Sequence, residues 1–113
     1  MSPNPDSSDV DNPHYNFREF LREPVRIAAE LLVSQGYRFK VSVLDLSASG
    51  FRIETSNHIP ADRKIYLTIP GFQPLQASIA WSECDQFGCE FSHKLHSSIF
   101  EHISKAFPSL VAN

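Results

Sequence analysis

The chain is short of most features that mark familiar protein classes. No apolar run approaches the roughly 20 residues of a membrane-spanning helix, so no insertion into a bilayer is expected. Positive charge is not in excess: ten Lys and Arg stand against 13 Asp and Glu, for a net charge of −3. No global positive field gathers a nucleic-acid polymer, although a small anion needs only a local basic patch. Cysteine is scarce. Cys84 and Cys89 could pair only as a tight local bridge. No secretory leader is legible from Met1, so the cytoplasm is the expected location and free thiols the expected state. Cys84, Cys89, His93 and His96 lack the close cysteine pairs of a structural zinc site. His14, His58 and His102 have no matching constellation. No nucleophile–base pair, paired carboxylates or phosphate-cradling glycine loop stands out, so no enzyme is expected.

What is present is a chain of 113 residues, 42% hydrophobic and 20% charged, which suits one soluble domain with a modest core. Residues 1–16 hold three prolines and few apolar groups, and read as a flexible tail. Residues 17–110 read as the single domain. Within it, 17–26 bear Arg18, Arg22 and Arg26 at intervals of four. Phe17, Phe20 and Leu21 are spaced for one face of a helical turn, which Pro24 ends. An extended lead into a strand comes next.

From residue 27 the pattern changes to alternation. Ile27, Ala29, Leu31 and Val33 predict a first strand, and Ser34-Gln35-Gly36 a turn. Phe39, Val41 and Val43 mark one face of a second strand over 37–44. A polar turn over 45–50 contains Asp45, Ser47 and Gly50, and a third strand runs over 51–54. Ile65, Leu67 and Ile69 mark a fourth. Ala77, Ile79 and Trp81 are placed on one face of a fifth, over 75–82. Residues 83–87 turn back, and 88–91 complete a hairpin. Leu95, Ile99, Ile103 and Phe107 recur every four residues, predicting an amphipathic helix over 92–107 with Ser92 as N-cap and Pro108 as stop. The sum is an all-β fold with a terminal helix: a small six-stranded antiparallel barrel over 27–91 and a C-terminal helix that plugs it, covers its wall or mediates a dimer.

Two clusters carry chemistry. Guanidinium groups make bidentate, charge-assisted bonds to phosphate and to the O6/N7 edge of guanine. A carboxylate and a hydroxyl suit the polar edge of a base. Plainer readings stand beside these. Arg22 and Arg26 suit a solvated face or ion pairs with Glu19, Glu23 or Glu30, and Asp45 and Ser47 suit simple turn closure. Trp81 reads as a core or rim side chain, usable as a fluorescent reporter.

Arg22-x-x-x-Arg26 followed by Asp45-x-Ser47-x-x-Gly50 resembles the two-part signature of PilZ domains. The likeness covers nearly all of residues 21–107. It extends to Ala77 to Trp81 on a late strand and to Gly88-Cys89-Glu90-Phe91 before the helix. The resemblance implies a six-stranded barrel that binds cyclic di-GMP, a bacterial second messenger, with no cofactor. It implies that Arg22 and Arg26 clamp phosphates and guanine, that Asp45 and Ser47 hold a guanine or an arginine reading it, and that Gly50 leaves room for the ligand. Leu21 stands where many members carry a further basic residue, for which Arg18 could substitute. Arg52, beside the motif, is a further candidate contact. The partners implied are cyclic di-GMP and a protein of motility, exopolysaccharide or secretion control, with the receptor a monomer or homodimer. The alternative is a PilZ-like adaptor that binds another protein and not the nucleotide.

Overall fold

A computed structural model describes residues 21–109. Arg18, the Phe17 and Phe20 pair and the tail over 1–16 lie outside the described residues. Six strands form one closed antiparallel barrel: β1 Glu23–Val33, β2 Arg38–Leu46, β3 Gly50–Glu54, β4 Lys64–Thr68, β5 Leu75–Glu83 and β6 Gln86–Phe91. Their order around the wall is β1-β2-β3-β6-β5-β4, and β4 closes on the C-terminal half of β1. After β6 comes one helix, α1 Ser97–Ala106.

Alternation does most of the building. Ile27, Ala29, Leu31 and Val33 of β1, Val41 and Val43 of β2 and Ile65 and Leu67 of β4 all point inward and are buried. Phe51 and Phe91 meet at 5.0 Å between ring centres in the same core. Each buried aliphatic or aromatic side chain contributes on the order of 1.5–3 kcal/mol of transfer free energy.

Three bulges interrupt the alternation. β1 slips against β2 between Pro24 and Ile27, β2 against β3 between Val43 and Asp45, and β5 against β6 between Ile79 and Trp81. A bulge adds one residue to one strand and re-aims the side chains beyond it. Asp45 shares the odd-numbered phase of Val41 and Val43, so a regular strand would drive its carboxylate into the core. An unpaired buried charge costs several kcal/mol or more. The extra residue, Leu44, turns Asp45 outward and returns Leu46 to the core.

The same device corrects the expected placement of Trp81. Ala80 is the extra residue in β5. Ala77 and Ile79 keep to the core side, and Trp81 stands on the outer wall, 44% exposed.

Other boundaries also move. β1 begins at Glu23, so Arg26 lies in the barrel wall rather than in a lead segment. Pro24 is tolerated because β4 pairs only with Glu30 to Val33, leaving that edge of β1 open at the proline. Farther along the edge, the Arg26 N–H donates to the Phe107 carbonyl at 3.1 Å, and Val25 bridges to Pro108. Asp45 belongs to β2, and the turn is confined to 47–49. β6 begins at Gln86, because Glu83 pairs with Gln86 across the two residues Cys84 and Asp85. Cys84 takes the positive φ, 55°, that such a tight hairpin demands.

The helix starts at Ser97, five residues after the expected Ser92. The Ser92 N–H bonds to the Gln76 carbonyl and the Leu95 N–H to the Ala48 carbonyl, so the barrel holds this stretch in place. His96 is the N-cap, its ring nitrogen accepting the Ser98 N–H at 3.1 Å. Phe100 and Ile103 enter the barrel's core cluster, whereas Ile99 is left 38% exposed.

Candidate functional site

The outward-facing residues near the bulges form one row across the wall. Pro24 of β1 pairs with Asp45 of β2, Asp45 with Arg52 of β3, Arg52 with Gly88 of β6, and Gly88 with Trp81 of β5. Asp45 is the centre of charge. Its Oδ1 accepts from Arg22 Nη1 at 2.8 Å, and its Oδ2 accepts from Arg52 Nε at 2.9 Å. Both carboxylate oxygens thus serve arginines. The carboxylate is 14% exposed, while Arg22 is 52% and Arg52 37% exposed. Arg52 is fixed a second time, Nη1 donating to Gln86 Oε1 at 2.9 Å. Two guanidinium groups on one carboxylate leave a net charge of +1, with outward N–H donors to spare.

Arg22 precedes β1 and reaches this row from the chain's lead. Arg26 is exposed in the β1 bulge. At about 3.3 Å per residue, its Cα lies roughly 7 Å along the strand from Pro24. Among the described residues no hydrogen-bond partner holds its guanidinium.

Ser47 and Gly50 serve the turn. Ser47 is buried, at 2% exposure. Its hydroxyl accepts the N–H groups of Ser49 and Gly50, at 3.3 and 3.1 Å, and its own N–H bonds to the Gly50 carbonyl at 2.8 Å. This is the side-chain-closed turn that Ser favours. At Gly50 a Cβ would collide with the Cys89 carbonyl of β6. The missing side chain lets β3 and β6 approach at the turn.

A shallow groove of about 240 Å³ runs beside this turn, walled by Arg22, Ser49, Gly50, Trp81, Gly88 and Glu90. A Cβ on Gly88 would overlap the Trp81 indole, so the indole lies across that glycine. One face of a flat π-system thus rests on the barrel beside Arg22. The side turned away from the wall is open to solvent, and an open indole face stacks on bases of any identity. Glu90 adds a negative charge to the groove wall, which disfavours an anion beside it. Cys89 lines the groove but is no nucleophile: burial pushes its thiol up to about 12, so it is protonated at neutral pH. Cys84 is exposed on the hairpin turn.

The structure therefore brings Arg22, Asp45 and Arg52 into direct contact, with Gly50 beside them. It sets Ser47 beneath the turn and Arg26 farther along β1. Sequence reasoning does not reach Gln86, which it leaves in a turn, or Trp81 as an outer-wall residue. A glycine inside a strand, Gly88, was the available signal that something approaches closely there.

No helix among the described residues is long and apolar enough to cross a membrane. No curated protein matches the chain. The sequence model of the PilZ domain matches residues 16–105, which takes in every strand and nearly all of the helix. Motif, barrel and match agree, and the chain belongs to the PilZ domain family, whose members are receptor and adaptor domains acting on protein partners.

Proposed function

We propose that this protein is a cyclic di-GMP receptor that signals by reshaping its N-terminal segment for a protein partner. The observation that carries this reading is the reach of Arg22 from outside the barrel onto Asp45, at 2.8 Å, beside a groove with an exposed indole. The ligand carries two phosphates. Arg22, Arg52 and Arg26 supply three positive charges against those of Asp45 and Glu90, a local balance of +1. Phosphate and the O6/N7 edge of guanine are the acceptors that a fork of N–H donors fits best. Asp45 acts through the arginines, and Ser47 and Gly50 act by shaping the turn. The protein performs no chemistry of its own on this reading. It works in the cytoplasm as a monomer or homodimer, on a partner in motility, exopolysaccharide or secretion control.

A second reading, an adaptor that does not bind the nucleotide, has one observation in its favour. Leu21 stands where a further basic residue would strengthen the clamp. It is 46% exposed and lines a larger groove of about 500 Å³ with Phe100, Lys105 and Pro108.

Calorimetric titration with cyclic di-GMP separates the two. Arg22→Ala and Arg26→Ala should each weaken binding by about 2 kcal/mol or more, roughly thirtyfold, the cost of losing one side of a charged contact. Wild-type affinity in both variants refutes the roles given to these arginines. A folded wild-type protein that does not bind favours the adaptor.

A further inference from the structure

We infer that Gln86 is a positioning residue of the arginine site, acting through Arg52 and Asp45 on Arg22. The claim that this affects ligand affinity rests on the receptor reading above; the claim about geometry does not.

The contacts form one relay across three strands. Gln86 Oε1 of β6 accepts from Arg52 Nη1 at 2.9 Å. Arg52 Nε of β3 donates to Asp45 Oδ2 at 2.9 Å. Asp45 Oδ1 of β2 accepts from Arg22 Nη1 at 2.8 Å. A guanidinium is planar, and a single hydrogen bond leaves it free to pivot about that bond. Two acceptors on different strands fix both its plane and its reach. With Arg52 fixed, Oδ2 is occupied in a set direction. The carboxylate's terminal torsion, otherwise broad, is then set as well. Oδ1 is left pointing to where Arg22 arrives.

The amide has a second consequence. Gln86 sits among Glu54, Glu83 and Asp85, which share a shallow pocket with it. A glutamate here would hold Arg52 at least as tightly. It would also cancel the net positive charge of the Arg22–Asp45–Arg52 group and draw Arg52 toward an already acidic end of the barrel. A neutral acceptor fixes the arginine without lowering the attraction for an anion. The two-residue hairpin turn at Cys84 and Asp85 makes this possible, because it lets β6 start at Gln86 on the outward face.

The test uses the full chain and three variants: Gln86→Ala, Gln86→Glu and Arg52→Lys. Two measurements are made. The first is solvent exchange of the Arg52 Nε–H by NMR without nucleotide. The second is cyclic di-GMP affinity by calorimetry at several salt concentrations. Gln86→Ala should speed the Nε–H exchange severalfold. It should weaken binding about fivefold with the salt dependence unchanged, since no charge is removed. Gln86→Glu should keep the exchange slow, yet weaken binding and flatten its salt dependence. Arg52→Lys keeps the charge but cannot bridge two acceptors with one planar fork, so it should match Gln86→Ala in affinity and salt dependence. Unchanged Nε–H exchange in Gln86→Ala overturns the inference. So does binding by Gln86→Ala within twofold of wild type. If the wild type binds no nucleotide, the receptor reading fails by itself, and the exchange measurement alone decides the role of Gln86.

Discussion

Gly50 and Gly88 are both buried by neighbours that leave no room for a side chain, yet alanine should cost very different amounts at the two positions. At Gly50 the added Cβ falls inside 3.0 Å of the Cys89 carbonyl oxygen and lies 3.3 Å from its carbon and 3.4 Å from Glu90 Cα. All three atoms are backbone. They belong to β6, which is hydrogen-bonded to β3 on one side and β5 on the other. Relief requires a strand shift of about 1 Å, and overpacking of this kind costs roughly 1–3 kcal/mol. Alanine recovers about 0.5–1 kcal/mol of the entropy that glycine loses on folding. The middle of these ranges puts the net loss for Gly50→Ala at about 1.3 kcal/mol. At Gly88 every close atom belongs to the Trp81 indole. That side chain is 44% exposed and can swing into solvent. Its lost contact is offset by the same entropic gain, so Gly88→Ala should lie within about 0.5 kcal/mol of wild type, as surface changes do. Urea denaturation measures both values. Trp81 is the single tryptophan, so its emission reports the Gly88 rearrangement directly, and the maximum should shift to the red. Equal costs at the two glycines, or an unshifted emission in Gly88→Ala, refute the reasoning.

Two further predictions concern stability. Ser47→Ala removes the acceptor of two turn N–H groups at a buried position, and should cost about 1–3 kcal/mol in denaturant unfolding, whereas an exposed turn serine would cost little. Cys89 gives an alkaline signature. Its thiol rises from 9.0 to about 12 in the folded protein, so above about pH 9 the unfolded chain releases a proton that the native state retains. The native protein is favoured fully below pH 9. The stability contributed by this thiol then falls by up to ~1.4 kcal/mol per pH unit toward pH 12. Cys89→Ala should flatten the fall between pH 9 and 10.5 relative to wild type; parallel profiles refute the assignment.

Much of this architecture was legible because barrels are written in alternation. Ile27 to Val33, Val41 and Val43, and Ile65 and Leu67 face the core as their spacing demands. The arginine and Asp-x-Ser-x-x-Gly elements carried the family, because their residue types and separation are specific. The helix was legible in kind but not in extent. Its apolar stripe continues back to Leu95, and only the hydrogen bonds of Ser92 and Leu95 to barrel carbonyls show why it starts at Ser97.

By itself, the sequence determined the strand count, the packing period and the residue types able to hold an anion. Which side of the wall those residues occupy was decided only by tertiary structure. Asp45 and Trp81 share the numbering parity of buried neighbours, and strict alternation would turn both inward. Leu44 and Ala80, each inserted as the extra residue of a bulge, reverse that parity and set both side chains outside. A bulge is a mismatch between two strands, so it has no address in either strand's own pattern. At Leu44, pairing the strands without the bulge would bury the Asp45 carboxylate, a cost that a local break in the ladder avoids.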